Sequence, residues 1–133
     1  MSAARRRPGM SVDDVLAYAL GKPGAWLDHP WDPDHDVAKV ADKMFVMVGA
    51  RDRGSSFAVR HADQESCDEW RRRFPDHIGP QPYLRNLPWS RIAIGGEQLD
   101  DDDLVELVEE SYAAVVGRLP KKRRPEGWDA APG

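Results

Sequence analysis

The sequence predicts an α+β domain whose elements run α-β-β-β-α-β-β-α. Three observations predict it. Leu104, Leu107, Val108, Ser111, Tyr112, Val115, Val116 and Leu119 recur at three- to four-residue spacing, the stripe of a helix with one buried face. Short apolar runs at Val37–Ala41, Met44–Gly49 and Ser56–Arg60 are separated by turn residues, the pattern of consecutive antiparallel strands. Hydrophobic residues make up 41% and charged residues 32% of 133, which suits one folded core and excludes a disordered chain.

In chain order, residues 1–10 form a flexible tail carrying Arg5, Arg6 and Arg7. Ser11 is placed to cap the first helix with Asp14 three residues on, and Val12, Val15, Leu16 and Ala19 share its face until Gly21 ends it. The first two strands meet across Asp42-Lys43, and Arg51–Ser55 turns the chain into the third. Asp63 opens a second helix with Cys67, Trp70 and Phe74 on one face, stopped by Pro75. Gly79–Pro88 holds three prolines and a glycine. It reads as a long loop with an edge strand around Pro82–Leu84. Trp89–Ile94 is the next strand, ended by Gly95-Gly96. Asp100 to Asp103 then sit where the dipole of the last helix favours negative charge, and Pro120 closes that helix. The expected organisation is a tail over 1–10, a single domain over 11–119 and a second flexible basic, proline-containing tail over 120–133.

Function classes narrow by elimination. No apolar run reaches the ~20 residues of a membrane span, and the N-terminus has no apolar core of a secretory signal. The single Cys67 forms no internal disulfide, so a cytoplasmic location is expected. The motif Asp32-Pro33-Asp34-His35-Asp36 places acids as a calcium loop does. Val37 then stands where that loop needs glycine and Lys43 where it needs glutamate. A proline-ordered turn is the better reading, with a looser divalent site at Asp32, Asp34 and His35 as the alternative. The four histidines lack zinc spacing, and nucleophile-elbow, phosphate-loop and dinucleotide motifs are missing. Ser66, Ser111 and Cys67 fall on helices at inward spacing, which favours packing. The expectation is a protein that is not an enzyme and uses no cofactor.

Charge is segregated along the chain. The net charge is -4, yet residues 11–119 carry 21 acidic against 12 basic side chains, with basic tails on either side. Such a body attracts phosphate backbones poorly unless a local basic patch acts. Candidates for that patch are Arg51 and Arg53 on a hairpin turn, and Arg85 and Arg91 flanking Tyr83 and Trp89 around the proline-rich loop. A solvated surface accounts for each singly; together they form two basic loops on one sheet, able to contact phosphates and sugars.

Four stretches carry a family resemblance: PWDPDHDVAKVADKMFVMVG, FAVRHADQESCDEWRRRFP, LPWSRIAIGG and LDDDDLVELVEESYAAVVGRLPKK. In order and spacing, from about Val15 to Lys122, the chain resembles the MmcQ/YjbR family of small bacterial proteins. The resemblance implies a two-layer fold, an antiparallel sheet covered by helices, similar to secretion chaperones and CyaY-like (frataxin-like) proteins. It also implies DNA binding through two loops called wings, which match Arg51–Ser55 and Tyr83–Trp89. Asp32 stands where the family has glycine, and Tyr83–Pro88 replaces a segment richer in His and Lys. The leading expectation is weak, salt-dependent DNA binding by Arg51, Arg53, Arg85, Arg91 and Tyr83. The alternative is an adaptor for a protein or peptide, with no nucleic-acid role. Either would act as a monomer or weak dimer.

Overall fold

The structure, a computed structural model, describes residues 9–49, 55–82, 84, 86–95 and 98–129. Helix α1 spans Val12–Leu20. Ser11 Oγ accepts the Asp14 amide at 3.0 Å while the Asp14 carboxylate accepts the Ser11 amide at 2.9 Å, so the capping box forms as its sequence requires. Strand β1 (Ala25–Asp28) follows, then β2 (Asp36–Val40), β3 (Lys43–Val48) and β4 (Ser56–Arg60). Helix α2 (Gln64–Arg73), β5 (Ile78–Pro80), β6 (Trp89–Ala93) and helix α3 (Asp101–Val116) complete the domain. The strands form one antiparallel sheet ordered β1-β2-β3-β4-β6-β5.

Two elements correct the sequence expectation. Strand β1 was not foreseen, and the observed order is α-β-β-β-β-α-β-β-α. Ala25–Asp28 is too short to alternate visibly. Its pairing partner, β2, lies more than ten residues downstream, with Ala25 opposite Val40. The edge strand falls at Ile78–Pro80 rather than around Pro82–Leu84. Ile78 faces the core opposite Ile92, and Pro80 is tolerated because it ends an edge strand.

All three helices lie on one face of the sheet. Helix α3 packs on β2, β3 and β4, α1 packs beside it, and α2 packs toward β5. Ala38, Val40, Val46, Val48, Phe57, Val59 and Ile92 point into this layer with Val15, Leu16, Leu107 and Val116. A bulge helps. Ala38 pairs with Val46 but Lys39 with Met44, so Phe45 is an extra residue and both Phe45 and Val46 reach the core.

Four successive residues of α3 tie the layers together. The Glu109 carboxylate takes the Lys22 ammonium at 2.7 Å and the Tyr18 hydroxyl from α1. Glu110 accepts the Trp70 indole N–H at 2.8 Å and the Ser66 hydroxyl at 2.5 Å, both from α2. Ser111 donates to the Phe45 carbonyl at 2.6 Å and accepts the Arg60 amide at 2.9 Å. Tyr112 donates to the Pro23 carbonyl at 2.5 Å, and its ring meets Phe45 edge-on. At 100° per residue, four consecutive positions reach most of the way around a helix, so one turn contacts every neighbouring element.

Residues 120–129, expected within a flexible tail, pack against the domain. Pro125 lies against Gly24, whose φ of +75° has no room for a Cβ, since one would sit 2.6 Å from Pro125 Cγ. Trp128 rests on the core edge with the Arg124 guanidinium over its ring. No helix among the described residues is long and apolar enough to cross a membrane.

Candidate functional site

With every helix on one face, the other face of the sheet, the open face, carries no helix, although Ser56, Ala58 and Trp89 on it are only 1%, 2% and 4% exposed. Alternation and register place Trp26, Asp28, Lys39, Met44, Met47, Ser56, Ala58, Arg60, Trp89 and Arg91 there, because their neighbours Phe57, Val59 and Ile92 point into the core. Arg91 lies midway along β6, next to the edge strand β5 and opposite Ala58. It is exposed, and its Nε donates to Ser56 Oγ at 3.0 Å.

Arg51, Arg53, Tyr83 and Arg85 lie outside the described residues. The strand ends that anchor their segments are described, and they are at opposite ends of the sheet. Val48 and Ser56 flank the first segment at the end where β6 finishes at Ala93; Pro80 and Trp89 flank the second at the end where β4 finishes at Arg60. The two anchors are thus separated by the length of β4, roughly 13 Å at the usual rise per residue. Arg91 stands between them.

Charge divides by layer rather than only along the chain. The three helices carry eleven acidic and three basic side chains; the six strands carry two acidic and four basic. The acidic body is therefore a helix-layer property. On the sheet, Lys39 pairs with Asp28 at 2.8 Å and lies over the Trp26 ring, and this pair holds the Asp28 carboxyl below its ordinary pKa.

The Asp32–Asp36 segment is a turn. The Asp34 amide donates to Asp32 Oδ1 at 2.8 Å, an Asx turn, and the His35 amide to the Asp32 carbonyl at 3.2 Å. The His35 ring bonds the Asp32 carboxylate at 2.8 Å, which lowers that carboxyl's pKa. Asp100 and Asp103 form a second capping box, and Asp101 accepts the Met10 amide at 2.8 Å. Among the described residues, no three His, Cys, Asp or Glu side chains converge as metal ligands. The Arg71–Arg73 run is likewise engaged. Arg71 donates to Ser90 Oγ and the Trp89 carbonyl, Arg72 pairs with Glu69, and Arg73 covers the rings of Trp70 and Phe74.

One cluster was invisible in the sequence because its members lie 20 to 49 positions apart. His61 Nε2 is 2.8 Å from Ser90 Oγ, and His61 Nδ1 is 4.0 Å from Glu110 Oε2. This is the order of a nucleophile, a base and an acid. Ser90 and His61 are both 0% exposed, however, so no substrate reaches the hydroxyl in this conformation. Burial pushes the His61 pKa below its ordinary value, opposed by Glu110 and reinforced by Arg71. The cluster ties the β4–α2 connection to β6 and α3.

Comparison with known proteins agrees with this architecture. The family model YjbR matches residues 20–114. The proteins named "Uncharacterized protein YjbR" from Escherichia coli K12 and O157:H7 are each 28% identical over 115 residues, covering 86% of this chain and 95% of theirs. The crystal structure of Deinococcus radiodurans protein DR2400, described as a DUF419 domain, superimposes with a TM-score of 0.77 at 24% identity. That match covers 89% of this chain and 88% of the other. The chain belongs to the YjbR family.

Proposed function

We propose that the chain binds double-stranded DNA without sequence preference, through phosphate contacts on the open face of its sheet. The observation that carries this reading is the division of charge by layer, which turns a basic face outward from a protein of net charge -4. Arg91, midway along β6 and between the anchors of two arginine-bearing segments, gives the surface a line along which a phosphate backbone runs. The acidic helix layer repels the duplex and so orients the encounter. Affinity in the nonspecific range, roughly 10⁻⁴ to 10⁻⁶ M at physiological salt, is expected. Fluorescence anisotropy of a labelled duplex at two salt concentrations tests it. Binding should weaken steeply with salt, and Arg91→Ala should reduce the logarithmic salt slope by about one. Binding that ignores salt, or none at all, sinks the proposal.

A second reading rests on a separate observation. Trp26 and Leu27 of edge strand β1 and Trp31 just beyond it are three of the four large apolar side chains exposed among the described residues. An edge of this kind can accept an extended peptide by main-chain pairing. A stoichiometric partner captured by the wild type and lost with Trp26→Ser plus Leu27→Ser supports an adaptor. Recovery of no stoichiometric partner counts against it.

A further inference from the structure

Beneath the C-terminal end of α3, where β3 begins and β4 ends, the surface opens into a cleft of about 300 Å³. Its floor is apolar, built from Met44, Trp89 and Leu119; its rim carries Lys43, Arg60 and Arg118. Ligand pockets combine such a floor with a few polar groups that fix orientation.

Among the described residues, the rim cations lack acidic partners. Arg60 Nε is buried and has no hydrogen-bond partner among the described residues. Arg118 spends its donors on the carbonyls of Ala114 at 3.0 Å and Ala62 at 3.4 Å. Among the described residues no carboxylate lies within ion-pair distance of Arg60, Arg118 or Lys43. The acid nearest in sequence, Asp42, is held by Arg123 at 3.3 Å. Burial and the neighbouring Arg118 charge both pull the Arg60 pKa below its ordinary value. A partly buried charge is normally paired, so the Arg60 guanidinium, facing the exposed Arg118 rather than a carboxylate, costs the fold stability. An anion between them removes that cost.

We propose that this cleft binds a small amphipathic anion: one phosphate or carboxylate held by Arg60, Arg118 and Lys43, carrying an apolar ring or chain that lies on Trp89 and Met44. A bare inorganic anion leaves the floor unused, and a neutral apolar molecule leaves the arginines opposed. The cleft opens at one end of the proposed DNA surface and shares Met44, Arg60 and Trp89 with it, whereas Arg91 does not line it.

The full chain is titrated with 1-naphthyl phosphate, and separately with inorganic phosphate and 1-naphthol. The indole N–H of Trp89 is followed by NMR and assigned with Trp89→Phe. Naphthyl phosphate should bind saturably and at least about tenfold more tightly than either control, since a charge-assisted hydrogen bond is worth a decade or more of affinity. Arg60→Met should lose at least about tenfold while melting at the same or a higher temperature, as removal of an opposed cation requires. Arg118→Gln should lose affinity comparably, and Arg91→Ala should retain it. Equal binding of naphthol or of inorganic phosphate overturns the proposal, as does the absence of binding. So does undiminished affinity in Arg60→Met, or a lower melting temperature for that variant. Loss confined to Arg91→Ala assigns the probe to the surface around Arg91, outside the cleft, and overturns the proposal as well.

Discussion

Replacing Glu110 with alanine removes the group that joins α2 to α3. Its carboxylate accepts the Trp70 indole N–H at 2.8 Å, the Ser66 hydroxyl at 2.5 Å and the Ala62 amide at 2.7 Å. Hydrogen bonds to a charged acceptor contribute about 1.5–3 kcal/mol each when the donor is otherwise stranded. The three are not equal. The Ala62 amide lies at the surface and recovers a water partner, whereas Trp70 is 3% exposed and its indole does not. With the Trp70 and Ser66 bonds counted and the Ala62 bond discounted, the loss should be about 3–5 kcal/mol. For a chain of this size that corresponds to roughly 10 °C or more in melting temperature. Urea denaturation followed by tryptophan emission measures it, and the slope against urea should stay constant if the native fold is retained. In a Trp70→Phe background the same substitution should cost at least about 1 kcal/mol less, because the shared bond is already gone. A loss below about 1 kcal/mol, the value of an exposed ion pair, would refute the role given to Glu110.

Other expectations follow from the same packing. His61 is buried with its pKa below the ordinary value, so the unfolded chain binds more protons than the folded one as the solution is acidified through about 6.5. Its contribution is therefore present above that pH and lost below it. His61→Gln should flatten the fall in urea stability between pH 7.5 and 5.5 relative to wild type, and identical slopes would contradict the assignment. Gly24→Ala should cost roughly 1–2 kcal/mol for the left-handed backbone plus the clash with Pro125. Pro125→Ala should relieve part of that cost, and strictly additive melting shifts would show that residues 120–129 do not pack on Gly24.

The parts of the fold written in local pattern were legible in the sequence. Ser11 with Asp14 and the stripe of α3 announce themselves within a few residues and both occur; the hairpin turn expected at Asp42-Lys43 falls one residue earlier, at Ala41-Asp42, because Lys43 pairs with Val40 as the first residue of β3. Strands β1 and β5 have no such local signature, since each is held by pairing with a distant strand. The docked C-terminal segment left a trace, Pro125 and Trp128 among basic residues, that basic composition obscured. Site properties were less legible for the same reason. The alternation that sends Arg60 and Arg91 to one face, and eleven acids to the other layer, becomes a charge pattern only when the sheet is assembled. The meeting of His61 with Ser90 likewise depends on strands β4 and β6, which pair although 29 positions separate the two residues.

The most direct test of the open face as the functional surface is amide NMR of the full chain with a short DNA duplex at low salt. The account predicts shifts concentrated on β3, β4 and β6 and in the segments that join β3 to β4 and β5 to β6, with Arg91 among the largest. The exposed surfaces of α1 and α3 should remain unmoved. Shifts centred on the helix layer, or no shifts at duplex concentrations above the nonspecific range, would contradict it.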